Sequence, residues 1–372
     1  QRLYKRRRKN DNGIMESTFE SCSYLNSISM PSSLKLIETR AFTSCYNLKE
    51  IHVKANTPPT IMDDAFNSYK MLVFVPADAV DAYKSIDSWS WFAVLYAEGT
   101  LVQGSRIEVD GIAYLVTETN KKVSVTSQGA SWWQDNNYSG DMVIPSSIQV
   151  NGFTLDVIGI EYNAFRGCDS LNSVSIPASV EYIHDDAFGA KNLQAIYVDE
   201  NSPNFIVDDG ILYSKDKSVL LRVPGQEEKS VVIPEGVKEV RRGAFEQCNI
   251  KLLVVPESVT FFDFSDFSSI EELHWNPICL DNEQDLPFGE KGNPSLKTVV
   301  FGDKVERIPR YLCAYTPSLQ SVVLPQSLKY IGWNAFWGSG IREIVIPEGV
   351  GRIADCAFQQ CSALERIVIP SS

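Results

Sequence analysis

No apolar run in this chain of 372 residues approaches the ~18 needed to cross a bilayer, so a membrane-spanning helix is excluded. Positive charge is scarce: 34 Lys and Arg stand against 47 Asp and Glu, a net charge of −13. That balance argues against nucleic acid or an anionic membrane as the main partner. Only three histidines occur, His52, His184 and His274, far apart in sequence, and no Cys-x-x-Cys pair exists. The spacing of a zinc site is therefore missing. The eight cysteines are sparse at this length for a disulfide scaffold. Residues 289–295 lack the Gly-Lys-Ser order of a phosphate loop, so they read as a chance loop. Asp185-Asp186 and Asp208-Asp209 lack the alternating oxygen ligands of a calcium loop and read as solvated turns. No nucleophile lies beside a base in any recognisable pattern. These absences nominate no catalytic residue, no metal and no cofactor. The chain opens on Gln1 without a charged-then-apolar leader, so an export signal has been removed or was never present.

What the chain does have is a period. The clearest copy runs Leu25, Ile28, Met30-Pro31, Leu34, Ile37, Ala41-Phe42 and Cys45, and Leu48 opens the next copy 23 residues after Leu25. A fixed period of this size means a solenoid, whose coils bury their apolar faces against their neighbours. The strand motif returns at Leu171, Leu193, Ile250, Ile270, Leu296, Leu319, Ile341 and Leu364. The step from Ile250 to Ile270 is 20 and the next is 26, so a deletion is offset by an insertion within residues 276–293. Proline after most strands marks a turn, because its fixed φ and missing N–H end the ladder.

Each coil then carries a small-then-large pair, usually Ala-Phe. Phe19, Phe42, Phe66, Phe165, Phe188, Phe245, Phe336 and Phe358 are expected to stack as one column closing the edge of the core. Leu312-Cys313 replaces the pair in one coil, and Asp266-Phe267 is degenerate. Cys22, Cys45, Cys168, Cys248 and Cys361 each fall three residues after that Phe and read as a buried ladder position. The rival is a Cys22–Cys45 disulfide, since adjacent coils lie ~4.8 Å apart.

Departures from the period organise the chain. Residues 1–13 are an arm containing Lys5-Arg6-Arg7-Arg8-Lys9, either a nucleic-acid or import patch or a solvated terminus. Residues 14–98 form a first array whose helical cap, 77–92, sets Val80, Tyr83 and Ile86 about a turn apart and follows them with Trp89, Trp91 and Phe92. Residues 104–143 read as a β-hairpin cap, turning at Asp110-Gly111, for a second array over 144–372. Asn151-Gly152 marks another hairpin, and residues 201–224, turning at Asp209-Gly210, read as a hairpin protruding from that array. The last strand and turn end at Ser372, so the final coil is expected to continue or to be covered by another chain.

The linked order Leu-x-x-Ile-x-Ile-Pro, Val-x-x-Ile, Ala-Phe, Cys, Leu resembles the BspA-like leucine-rich repeats of bacterial, Bacteroides-type secreted or surface proteins. Residues 76–89 resemble a C-terminal cap of that family, and residues 207–213 another of its inserts. The resemblance covers nearly all of 14–372, weakens at 261–295 and is absent from 1–13. It implies a right-handed, β-rich leucine-rich-repeat solenoid of about 23-residue coils, in two arrays separated by a helical cap and a β-hairpin segment. It further implies a non-enzymatic secreted or cell-surface protein, anchored by lipid or wall through parts outside this sequence, that recognises or adheres to a host, matrix or community protein. It supplies no catalytic residues.

Two candidate binding surfaces remain. The outward strand positions of the last four coils give a column Val300, Val323, Val345 and Val368 with a charged border that includes Arg342 and Glu343. The column expresses either strand propensity or an apolar interaction stripe. Trp132-Trp133, near Tyr138, either cap the first coil of the second array or display an aromatic face for sugar or protein. A carbohydrate-binding module or an architectural spacer is thus the alternative to protein recognition. Asn137-Tyr138-Ser139 fits a glycosylation acceptor pattern and reads as incidental in a bacterial protein.

Overall fold

A computed structural model describes residues 12–92, 94–129, 136–225, 228–263, 269–278 and 292–371. The basic run at 5–9, Trp132-Trp133 and Asp266-Phe267 lie outside these residues. The chain divides into two units, Gln1–Val102 and Gln103–Ser372, each a β-solenoid of coils of roughly 23 residues.

In the first unit the strands Ser27–Met30, Glu50–Val53, Leu72–Val75 and Leu95–Ala97 pair in parallel. Their last core residues, Met30, Val53 and Val75, are buried, as alternation along a half-buried strand requires. A second ladder joins Gly13–Ile14, Leu36–Ile37 and Thr60–Ile61, so the array begins one residue before the expected boundary at 14. The third side of each coil is a turn built round the Ala-Phe pair. The N–H of Phe19 donates to Ala41 O, and that of Phe42 to Ala65 O, each at 2.8 Å. Two residues before and after the ring the backbone is left-handed, at Ser17 and Ser21, then at Arg40 and Ser44.

The segment after this array is helical in pieces. Ala77–Ala79 is a 3₁₀ turn, Val80–Lys84 and Asp87–Ser90 are short α-helices, and Ile86 between them is extended. Ile86 is exposed, so the apolar spacing of one continuous helix does not describe the packing. The break turns Trp89 onto the core, where its Nε1–H donates to Pro59 O at 2.8 Å. Tyr83 likewise reaches Ala55 O at 2.6 Å, so both large rings are buried with their polar tips satisfied.

The second unit opens with antiparallel hairpins, Arg106–Val109 with Ile112–Glu118 and Ser147–Val150 with Phe153–Ile160. Asp110-Gly111 and Asn151-Gly152 close them with positive φ at both residues, the geometry of a tight hairpin turn. Three parallel runs of long strands follow. They are Ser139–Val143 to Ala195–Val198, then Lys229–Val232 to Ser321–Val323, then Glu343–Val345 with Arg366–Val368.

The hairpin Phe205–Asp208/Ile211–Ser214 interrupts the array but does not simply protrude. Ile211–Ser214 pairs with Val219–Arg222, which continues in parallel with Glu239–Val240. Ile211 and Tyr213 enter the same core cluster as Val240, Leu253 and Trp275. The insert extends the short-strand side because its alternate residues are apolar enough to be buried there.

Among the described residues the spine rings stack in separate runs. In the first unit Phe19, Phe42 and Phe66 stack at 5.2 and 5.0 Å between centroids, and Phe92 closes the stack edge-on. In the second unit the stacked pairs among the described residues include Phe165–Phe188, Phe245–Phe262 and Phe336–Phe358. Phe262 comes from a short strand, and Cys313, fully buried, occupies a spine position in place of a ring.

Candidate binding face

Of the five cysteines expected at a buried corner position, Cys168 is buried, Cys45, Cys248 and Cys361 are half-buried, and Cys22 is exposed. Cys45 and Cys361 direct their thiols at the carbonyls of Phe19 and Phe336, at 3.1 and 3.0 Å, one coil earlier. Cys248 does the same to Val223 O at 2.6 Å. The carbonyls of Phe19 and Phe336 also accept backbone N–H groups, from Cys22 and Ser339, so each thiol there is a second donor, and Cys22 and Cys45 are both free. Burial pushes the Cys168 thiol up to about 12, with a backbone hydrogen bond opposing it. Such thiols are poor nucleophiles, since the thiolate is the reactive form.

The histidines face carboxylates rather than thiols. His274 Nε2 lies 2.6 Å from Glu272 Oε1, and His184 Nε2 lies 3.7 Å from Glu161 Oε2. His52 lies beside Glu98 and stacks on Phe74 with 4.7 Å between centroids. Among the described residues no three potential metal ligands converge, and no helix is long and apolar enough to cross a membrane.

The long strands present a different kind of site. In most of these strands the core residue is buried and its neighbours face out, as in Glu343, Ile344 and Val345, whereas Arg366–Val368 is exposed throughout. Register carries one outward column without interruption through Val232, Val254, His274, Val300 and Val323. Val232 is 62% exposed and Val323 52%, while Val300 is partly covered by its neighbours. Val345 and Val368 are paired and are 63% and 36% exposed, but their two strands form a sheet of their own. The four valines nominated from the sequence are therefore two pairs, Val300–Val323 and Val345–Val368. Val232, Val254 and His274 occupy the same position relative to the core residues in the preceding coils.

The border of the column is charged. Arg342 and Glu343 are exposed, and Glu343 lies opposite Arg366 across the ladder. Glu271 is bridged by Lys251 at 2.8 Å and by Lys297 at 2.5 Å. These hydrogen bonds hold its carboxyl down at about 2. The arrangement is four valines and one imidazole, His274, aligned on one face of a sheet beside a mixed-charge rim.

A stack of coils with parallel strands on two sides and a phenylalanine corner on the third defines a leucine-rich-repeat solenoid. The chain belongs to the BspA type leucine rich repeat region family, whose pattern matches residues 8–80, 145–209, 226–278 and 291–372. The match starts at 8, so the family pattern reaches into the arm. Among solved structures the chain is similar to a leucine-rich repeat protein from Eubacterium ventriosum at 20% identity and TM-score 0.47, covering 93% of this chain and 84% of that one. A leucine-rich repeat protein from Bacteroides ovatus also has 20% identity, with TM-score 0.46 and 70% of each chain covered. A leucine rich cell surface protein from Faecalibacterium prausnitzii matches at 20% identity and TM-score 0.39, over 97% of this chain and 83% of that one. The comparison with curated proteins returns no match.

Proposed function

We propose that this protein is a non-enzymatic recognition scaffold, secreted or displayed at a bacterial surface, that binds a protein ligand on the outward sheet of its second unit. The observation that carries the reading is the column Val232, Val254, His274, Val300 and Val323, held in register across five strands. Single exposed apolar residues need no explanation, but four valines and one imidazole aligned on one face beside a charged rim resemble the anatomy of an interface. Solenoid coils hold such a patch at fixed spacing without ordering any loop, which lowers the entropy cost of association.

The test is a panel of extracellular-matrix proteins assayed against the wild-type chain and a Val232→Glu/Val323→Glu double variant. Both side chains point away from the core, so the variant is expected to fold and to lose binding. Retained binding by a folded double variant would overturn the proposal.

A further inference from the structure

A cleft of about 680 Å³ opens in the first unit where the repeat departs from its own rules. From the last core residue of a long strand to the second core residue of the short strand the chain takes seven residues, as in Met30 to Ile37, Ile176 to Ile183 and Phe301 to Ile308. Val53 to Ile61 takes eight. The extra residue lies in the turn carrying Asn56, Thr57 and Pro58, which forms one wall of the cleft against Ser32, Ser33 and Lys35 of the preceding coil.

The chemistry of the walls departs as well. Five of the corresponding turns of the second unit carry an acid, at Glu181, Glu235, Glu257, Asp303 and Glu348, whereas the turn at 325–329 carries none. Here the turn positions hold hydroxyls and amides, and among the described residues no carboxylate lines the cleft. Lys35 and Lys54 both line it, both are exposed, and neither ammonium has a carboxylate partner among the described residues. In a chain of net charge −13, two unpaired lysines facing an acid-free cleft make a local reversal of sign. The side chains of Ser32, Ser33, Asn56 and Thr57 are likewise exposed, with donors and acceptors unused within the described residues.

We propose that this cleft binds an acidic oligosaccharide, a sugar chain bearing carboxylate or sulfate groups. The two ammoniums would take the anionic substituents, and the hydroxyls and amides would take the sugar hydroxyls. The volume falls within the roughly 300–1,000 Å³ range of small-molecule clefts. This site is separate from the valine column and stands or falls independently of it.

Calorimetric titration of the full chain with chondroitin sulfate, unsulfated hyaluronate and neutral dextran tests the assignment. Binding is expected for at least one of the two anionic chains, and which one binds distinguishes sulfate from carboxylate as the recognised group. Lys35→Gln/Lys54→Gln should weaken that binding by about tenfold or more, the effect of losing charged hydrogen bonds. Added salt should weaken it too. Lys215→Gln, an exposed lysine in the second unit, should leave it unchanged. Equal affinity for dextran, binding of none of the three, or an undiminished affinity in the folded double variant would each overturn the proposal. So would binding that survives the double variant and disappears when the five basic residues at 5–9 are replaced by glutamine.

Discussion

At the scale of single residues, charge is paired across the strands of the surface. Glu271 shows this. Its carboxyl sits at about 2 because Lys251 and Lys297 hydrogen-bond to its ionised form. A group whose folded pKa lies below its unfolded value stabilises the fold above the unfolded value, and that contribution disappears as pH falls through the folded one. Its loss is therefore expected between about pH 4.3, the usual Glu value, and pH 2. Urea unfolding measured at pH 6 and pH 3 should show a smaller acid loss for Glu271→Gln than for wild type. An identical loss in both proteins would mean that the two lysines do not hold the carboxylate in solution.

At the scale of the element, the corner turn is the most demanding piece of backbone in the coil. Residues two before and two after the spine position take positive φ repeatedly, including Tyr311, Tyr315, Cys356 and Gln360. Left-handed backbone costs a residue with a Cβ about 1–2 kcal/mol, and glycine avoids that cost. Gly167 and Gly338 occupy the later of these positions in their own coils. Gln360 is exposed, so Gln360→Gly should stabilise the last coil by up to about 1 kcal/mol, less whatever glycine gains in the unfolded chain. Thermal unfolding would check it, and a fall in Tm would show that this corner is not strained.

The corner also shows why the sequence could be read only in part. Leu, Ile, Ala-Phe and Pro recur because a narrow coil accepts few other shapes, and so the solenoid was evident from period alone. Asp110-Gly111, Asn151-Gly152 and Asp209-Gly210 announce tight turns because few other pairs take positive φ twice without strain. The break at Ile86 was hidden, because it depends on where Trp89 finds the Pro59 carbonyl, a contact across 30 residues. The burial of the 201–224 hairpin was hidden for the same reason. The outward column was half visible, since strand preference and an interaction stripe both call for valine. Only register separates the continuous run through Val323 from the isolated pair at Val345 and Val368.

For the whole molecule, two units imply two separable stabilities. The first unit's core cluster runs from Met30 to Leu95 and is closed by Tyr83, Trp89 and Phe92. A core cluster of the second unit runs from Ile211 to Ala357, with no residue in common. Solenoid stability is a sum of coil terms and nearest-neighbour terms, so damage at a cap should spread only as far as its own stack. Trp89→Ala is the sharpest such damage. It empties a fully buried site and leaves Pro59 O without its indole donor. A loss of about 3–5 kcal/mol is expected from the cavity, with the orphaned carbonyl adding to it. Hydrogen exchange resolved by mass spectrometry should then show protection falling across residues 30–95 while residues 250–278 and 292–346 keep theirs. Equal loss in both regions would mean that the chain unfolds as one cooperative body. The cleft and the valine column would then share one stability, and weakening the first unit would silence both.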